Sequence, residues 1–248
     1  MPSDSTAPGV AVLGCGAWGR NHVRTLKTLG ALAAVADAVA ATAEAAAAAA
    51  DVPARDFDAL LKDPAITAVV IAAPDALHAA LARRVLDAGK HALVEKPMTM
   101  TVEDARDLER RAQAGGLVLM TGHILRYHAG FRRLQELAGN GTLGTLRHIA
   151  ARRLHFAPGA ARHALWDLAP HDLSMILALA GRLPSGVRAT VTAPDGAPGS
   201  DAGALPQAGA VMLDFDGGLS AEISFSAISP VKLHQLTVTG AAAQAVFE

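Results

Sequence analysis

An apolar run, Gly9-Val10-Ala11-Val12-Leu13, leads into Gly14-Cys15-Gly16-Ala17-Trp18-Gly19, and a helical pattern through His22, Val23, Leu26 and Leu29 follows. No other stretch narrows the choice of fold so far. In a G-x-G-x-x-G series set between strand and helix, each glycine has its own physical reason. Gly14 admits the tight turn, Gly16 lets backbone approach a pyrophosphate, and Gly19 lets the helix pack closely on the strand. Ala17 and Trp18 lie on the same turn, and the helix N-terminus offers N–H groups to an anion. Residues 31–36 are a second strand pattern that ends in Asp37, near the distance expected of a ribose-binding acid. A carboxylate there accepts from a ribose 2′-hydroxyl and repels a 2′-phosphate, so the pattern predicts NAD, with NADP the less suited cofactor. The competing reading makes Asp37 the N-cap of a helix over the alanine-rich residues 38–50.

Strands and helices keep alternating as far as residue 121, the mark of a doubly wound parallel sheet. Residues 55–57 read as a short third strand and 58–62 as a helical turn. Residues 68–72 form a continuous apolar run suited to a strand covered on both faces. Pro74-Asp75 closes that strand, and a helix over 76–87 carries His78 in its first turn. There it is placed either against a cofactor or on the surface. The next strand, His91–Val94, runs into Glu95-Lys96-Pro97. Pro97 lacks an N–H and fixes φ, so the strand stops and Lys96 is held at the sheet's carboxyl edge, where ligands bind in open α/β sheets. A lysine after a strand is otherwise a solvated charge. Thr101-Val102-Glu103-Asp104 opens a helix to about 114 in the manner of a capping box, and residues 117–121 close the first unit.

From residue 122 the pattern changes. Residues 127–137 read as an amphipathic helix, Leu146–Phe156 as a long strand, 157–165 as irregular, and 170–179 as a helix. Strand-like segments follow at 187–192, 208–215, 219–226 and 232–239, with a Gly/Ala/Pro loop over 194–206. The expected division is a dinucleotide-binding domain over 1–121 and an α+β domain with a mostly antiparallel sheet over 122–248. Trp166-Asp167-Leu168-Ala169-Pro170-His171-Asp172 holds a carboxylate and an imidazole four apart, on one side if helical. Proline is tolerated in a helix's first turn, which places the pair at the helix start. A carboxylate beside an imidazole poises it for proton exchange near neutral pH. Alternatively Asp167 caps the helix and His171 is a core histidine.

With 22 basic against 23 acidic side chains, the chain has no basic excess to mark a nucleic-acid or membrane surface. Its one cysteine, Cys15, is compatible with a reducing cytosol. Residues 1–8 lack a basic start and a long apolar core, so no signal peptide is expected and the expected location is the cytoplasm. No H-x-x-x-H or C-x-x-C spacing points to a metal.

The glycine turn, Ala73-Pro74 with His78, Glu95-Lys96-Pro97, and Asp167-Leu168-Ala169-Pro170-His171-Asp172, in that order, resemble the Gfo/Idh/MocA oxidoreductase family. The resemblance implies a Rossmann domain followed by an open-faced sheet domain that often mediates dimers or tetramers. It also implies Lys96 beside nicotinamide and reacting hydroxyl, Pro74, His78 and Glu95 around the cofactor, His171 as acid/base and Asp167 at the substrate or that histidine. Gly122-His123-Ile124-Leu125-Arg126-Tyr127-His128, the stretch from Trp166 to Asp172 and Ser229-Pro230-Val231-Lys232 are most similar to nucleotide-sugar 3-dehydrogenases of the WlbA type. Arg126, Tyr127 and Trp166 thereby join Lys96, Asp167 and His171 as expected substrate contacts. The implied activity is hydride transfer between NAD and a secondary hydroxyl of a sugar, and the likeness to the 3-dehydrogenases implies a nucleotide-linked hexose. The alternatives are an inositol or free-monosaccharide dehydrogenase, or a non-catalytic NAD-binding sugar sensor. Family members continue beyond residue 248, so the second sheet is expected to be incomplete.

Overall fold

The computed structural model describes residues 8–156, 164–192 and 206–248. The chain divides into two compact units, 1–122 and 123–248. In the first, five parallel strands lie in the order β2-β1-β3-β4-β5. They are β1 (Val10–Leu13), β2 (Leu32–Ala36), β3 (Ala68–Ile71), β4 (His91–Val94) and β5 (Leu119–Thr121). Between them run α1 (Gly19–Thr28), α2 (Ala40–Ala50), α3 (Phe57–Lys62), α4 (His78–Asp87) and α5 (Val102–Gly115). One sheet face buries Val12, Val35 and Val70 against Val23 of α1 and Ala46, Ala47 and Ala50 of α2. The other buries Leu13 and Ile71 against Leu60, Val85 and Leu108 of α3, α4 and α5. With both faces covered, alternation is lost and the strands read as unbroken apolar runs.

The expected third strand shrinks to one parallel bridge, Val35 to Ala54. The Asp56 carboxylate accepts from the Ala59 N–H at 2.7 Å and caps α3, so the chain turns helical where extension was expected. Asp37 is not the N-cap of α2; Val39 is. Thr101 does cap α5, its Oγ1 accepting from the Asp104 N–H at 3.2 Å.

The second unit has a six-stranded sheet ordered β11-β10-β6-β9-β8-β7, antiparallel except where β6 meets β9. Its strands are β6 (Leu146–Phe156), β7 (Gly186–Thr192), β8 (Ala208–Asp214), β9 (Ser220–Ser226), β10 (Ile228–Gly240) and β11 (Gln244–Phe247). Two helices, α6 (Ala129–Gly139) and α7 (Ala164–Ala180), cover one face through Phe131, Met175 and Ile176 on Ile149, Ile223 and Leu236. Tyr127 lies in a 3₁₀ turn, Ile124–Tyr127, and not in α6, because His128 caps that helix, its Nδ1 accepting from the Gly130 N–H at 3.2 Å. Pro170 also departs from expectation: α7 is already helical at Ala164, so the proline sits inside it. The expected loop over 194–206, the irregular residues 157–163 and the start of the chain fall almost wholly outside the described residues. Among the described residues no helix is long and apolar enough to cross a membrane.

Candidate active site

All five strands of the first sheet point the same way, so their exits share one edge. The ladder continues into those exits: Gly14 N–H donates to Ala36 O, Ala72 N–H to Leu13 O, Glu95 N–H to Ile71 O and Gly122 N–H to Val94 O, all at 2.8–2.9 Å. The glycine turn, Asp37, Ala73-Pro74 and Glu95-Lys96-Pro97 therefore line one rim, where open α/β sheets hold ligands.

The turn after β1 has the shape a dinucleotide needs. Gly14 has φ +94°, and a Cβ there would meet Ala72 O at 2.5 Å; one on Gly19 would meet Gly14 O at 1.7 Å. A Cβ on Gly16 would touch nothing within 4 Å, so the space above this residue is open. Trp18, the N-cap of α1, makes no side-chain cap bond and is 47% exposed. Asp37 Oδ2 accepts from the Cys15 N–H at 2.7 Å and Oδ1 from the Val39 N–H at 2.9 Å. A carboxylate has about four acceptor sites, so two remain for a ribose diol. These residues fit a pyrophosphate and ribose. Cys15 itself is buried, and burial followed by the Asp37 charge pushes its thiol pKa up to about 11.

At the exit of β4, Glu95 is 8% exposed, and His22 Nε2 of α1 donates to its Oε1 at 2.6 Å. The Lys96 N–H donates to its Oε2 at 3.3 Å, and a Cβ on Gly122 would lie 3.0 Å from that same oxygen. Burial pushes the Glu95 carboxyl up, but the His22 hydrogen bond and charge, with the Lys96 N–H, pull it below its ordinary value. His78 is fully buried rather than at the surface. Its ring nitrogens lie 2.7 Å from Pro97 O and 2.8 Å from Ala73 O. In the structure Glu95 and His78 thus brace the turn that carries Lys96. Lys96 is half-buried. His22 carried no local signal, since its partner lies 73 positions away.

In the second unit, α7 holds Asp167 and His171 on one side, four residues apart, both half-buried. Ser174 Oγ donates to His171 O at 2.7 Å. Trp166 is 40% and Tyr127 57% exposed, and Arg126 is exposed. Asp172 is 2% exposed and receives two bonds from Arg153 of β6, Nε to Oδ2 and Nη2 to Oδ1, each 2.8 Å. His234 of β10 stands opposite Arg153 in the strand register, on the same side of the sheet. Burial first, then the Arg153, Lys232 and His155 charges, hold the His234 imidazole below its usual value. Sequence reading assigned no role to Arg153.

A parallel sheet flanked on both faces, a glycine turn open above Gly16 and an acid closing the second strand define a dinucleotide-binding α/β protein. The chain belongs to the Gfo/Idh/MocA oxidoreductases: residues 9–123 match that family's NAD-binding Rossmann domain and 131–246 its C-terminal domain. It is similar to UDP-N-acetylglucosamine 3-dehydrogenase of Acidithiobacillus ferrooxidans, 39% identical over 72% of this chain and 56% of that protein. It is also similar to the NADP-dependent scyllo-inositol 2-dehydrogenase IolW of Bacillus subtilis, 30% identical over 56% of this chain and 41% of that protein. The solved A. ferrooxidans enzyme superposes with a TM-score of 0.84 at 30% identity, covering 95% of this chain and 75% of that one. The curated relatives are thus matched over about half their length.

Proposed function

We propose that this protein oxidises or reduces a secondary hydroxyl of a sugar with NAD, and that the sugar is nucleotide-linked. The observation that carries the reading is the rim itself, where the turn bearing Lys96 stands beside the glycine turn and Asp37, within a family of NAD-binding oxidoreductases. Residues 1–122 hold the cofactor in this reading: the Gly14–Gly19 turn takes the pyrophosphate, and Asp37 accepts from the adenosine ribose and disfavours a 2′-phosphate. NAD, when bound, supplies the nicotinamide that exchanges hydride. The ammonium of Lys96 hydrogen-bonds the reacting oxygen and stabilises the negative charge that develops there. His171, beside Asp167, holds or takes the hydroxyl proton. Pro74 shapes the rim, and Arg126, Tyr127 and Trp166 contact the sugar. Two observations favour a nucleotide-linked substrate over inositol: the longer match to a nucleotide-sugar enzyme, and the Lys232 charge beside His234 on β10, which suits a diphosphate. The sheet face turned away from α6 and α7 is assigned to homodimer or homotetramer formation in the cytoplasm.

The test is nicotinamide reduction across nucleotide sugars, free sugars and inositols with NAD and with NADP, alongside Lys96→Met and His171→Ala. We expect turnover of a nucleotide sugar with NAD, blocked by the nucleotide alone, and about a 10²–10⁴-fold loss in each variant with NAD affinity kept. Turnover of inositol unaffected by nucleotide would replace the substrate class. Full activity in both variants would remove the assigned roles.

A further inference from the structure

We propose that Arg153 and Asp172 are positioning residues that set the orientation of His171. The inference rests on the reading of His171 as the group that takes the hydroxyl proton. Asp172 directly follows His171 on α7, and its neighbours one turn away on either side, Leu168 and Ile176, are 7% and 0% exposed. A carboxylate therefore stands within an apolar stripe. An apolar residue of similar size would pack there without desolvating a charge, and replacing buried ion pairs by apolar groups is often neutral or stabilising. Stability alone does not account for this pair.

Its geometry gives a different account. The side chains of Arg153 and Asp172 are 10% and 3% exposed, and their two parallel bonds of 2.8 Å form a fork, which fixes direction as well as distance. One end of the fork is anchored in β6, paired on one side with β10 and on the other with β9. The other end is on the helix, one residue from His171. Apolar contacts between a helix and a sheet tolerate small rotations about the helix axis; a two-bond fork does not. The need is local. Pro170 has no N–H, so the carbonyl of Trp166, four residues earlier, receives no helical hydrogen bond from it. The turn that spans Asp167 to His171 has lost one of its own restraints, and the fork from β6 supplies another two residues later. It also commits both Asp172 oxygens, so this carboxylate holds Arg153.

The experiment compares the wild type, Arg153→Lys, the paired apolar variant Arg153→Met/Asp172→Leu, His171→Ala, and the apolar pair combined with His171→Ala. The His171 ring-proton resonance, assigned by its loss in His171→Ala, is followed by NMR, and NAD reduction is followed with UDP-N-acetylglucosamine. We expect the apolar pair to melt no lower than the wild type and to bind NAD equally well. Its His171 resonance should shift or broaden, and kcat should fall at least 10-fold with KM changed less than about 3-fold. Arg153→Lys, which keeps the charge and loses the fork, should show the same signature more weakly, and it carries the test if the apolar pair does not fold. In the His171→Ala background the apolar pair should cost little more, because residues acting through one group are not additive. A folded apolar pair with an unchanged His171 resonance, or with wild-type kcat, overturns the proposal. If His171→Ala alone keeps full turnover, the catalytic reading of His171 fails, while the NMR arm still reports whether the fork orients it.

Discussion

Glu95 shows how one side chain serves its neighbours. Its carboxylate sits where burial favours the neutral acid, yet the His22 hydrogen bond and the Lys96 N–H keep it ionised and its folded pKa below the ordinary value. A carboxyl depressed on folding contributes stability that is present above its unfolded pKa and lost as pH falls through the folded value. The window here therefore opens below about 4.5. Replacing His22 with alanine should destabilise the protein by about 1.5–3 kcal/mol near pH 7, the usual worth of a hydrogen bond to a charged group. In thermal melts from pH 7 to 3 the gap between wild type and His22→Ala should close as Glu95 protonates. A gap that stays constant would assign His22 to packing alone. The residues with local signatures were legible from sequence: Gly14, Gly16, Gly19 and Asp37 sit where strand-turn-helix spacing put them. His22 and Arg153 were not, because their partners are brought close by sheet register and helix placement, which no short window of sequence contains.

The elements that matter most for the site are those whose ends are tied down. At the rim opposite the candidate site, Lys90 just before β4 donates from Nζ to Asp63 O at 2.8 Å and to Ile66 O at 2.5 Å, closing the end of α3. It is 6% exposed, and Lys90→Met would take the Nζ donor from the Ile66 carbonyl and leave Asp63 O with the Ile66 N–H at 3.2 Å. We expect a loss of about 1–3 kcal/mol in denaturant unfolding with NAD affinity unchanged, because the residue lies at the amino end of the strand. A change in NAD affinity would tie the two rims together. At this scale the alternation of strand and helix was readable throughout the first unit. The misreadings came from competing local chemistry. Asp56 caps α3 and cuts the third strand to a bridge at Ala54, and α7 runs through Pro170 instead of starting beside it. In α7 the apolar stripe of Leu168, Met175 and Ile176 outweighs the proline's preference for a first turn.

Across the molecule, each unit carries its own core: Leu13, Ile71 and Leu108 with their neighbours in one, Phe131, Ile149 and Ile223 with theirs in the other. The glycine turn, Asp37 and Lys96 belong to the first, Asp167 and His171 to the second. Residues 1–122 expressed alone should therefore melt cooperatively and bind NAD in calorimetry, yet give no turnover. An unfolded fragment would show that the first core needs the second unit. The ring of His78 has a further consequence for anyone redesigning this protein. Because one imidazole reaches from the exit of β3 to the turn after Lys96, those two loops form a single transplantable part. A graft that carries either one without the other leaves a buried ring with half its anchor, and the lysine loses its aim.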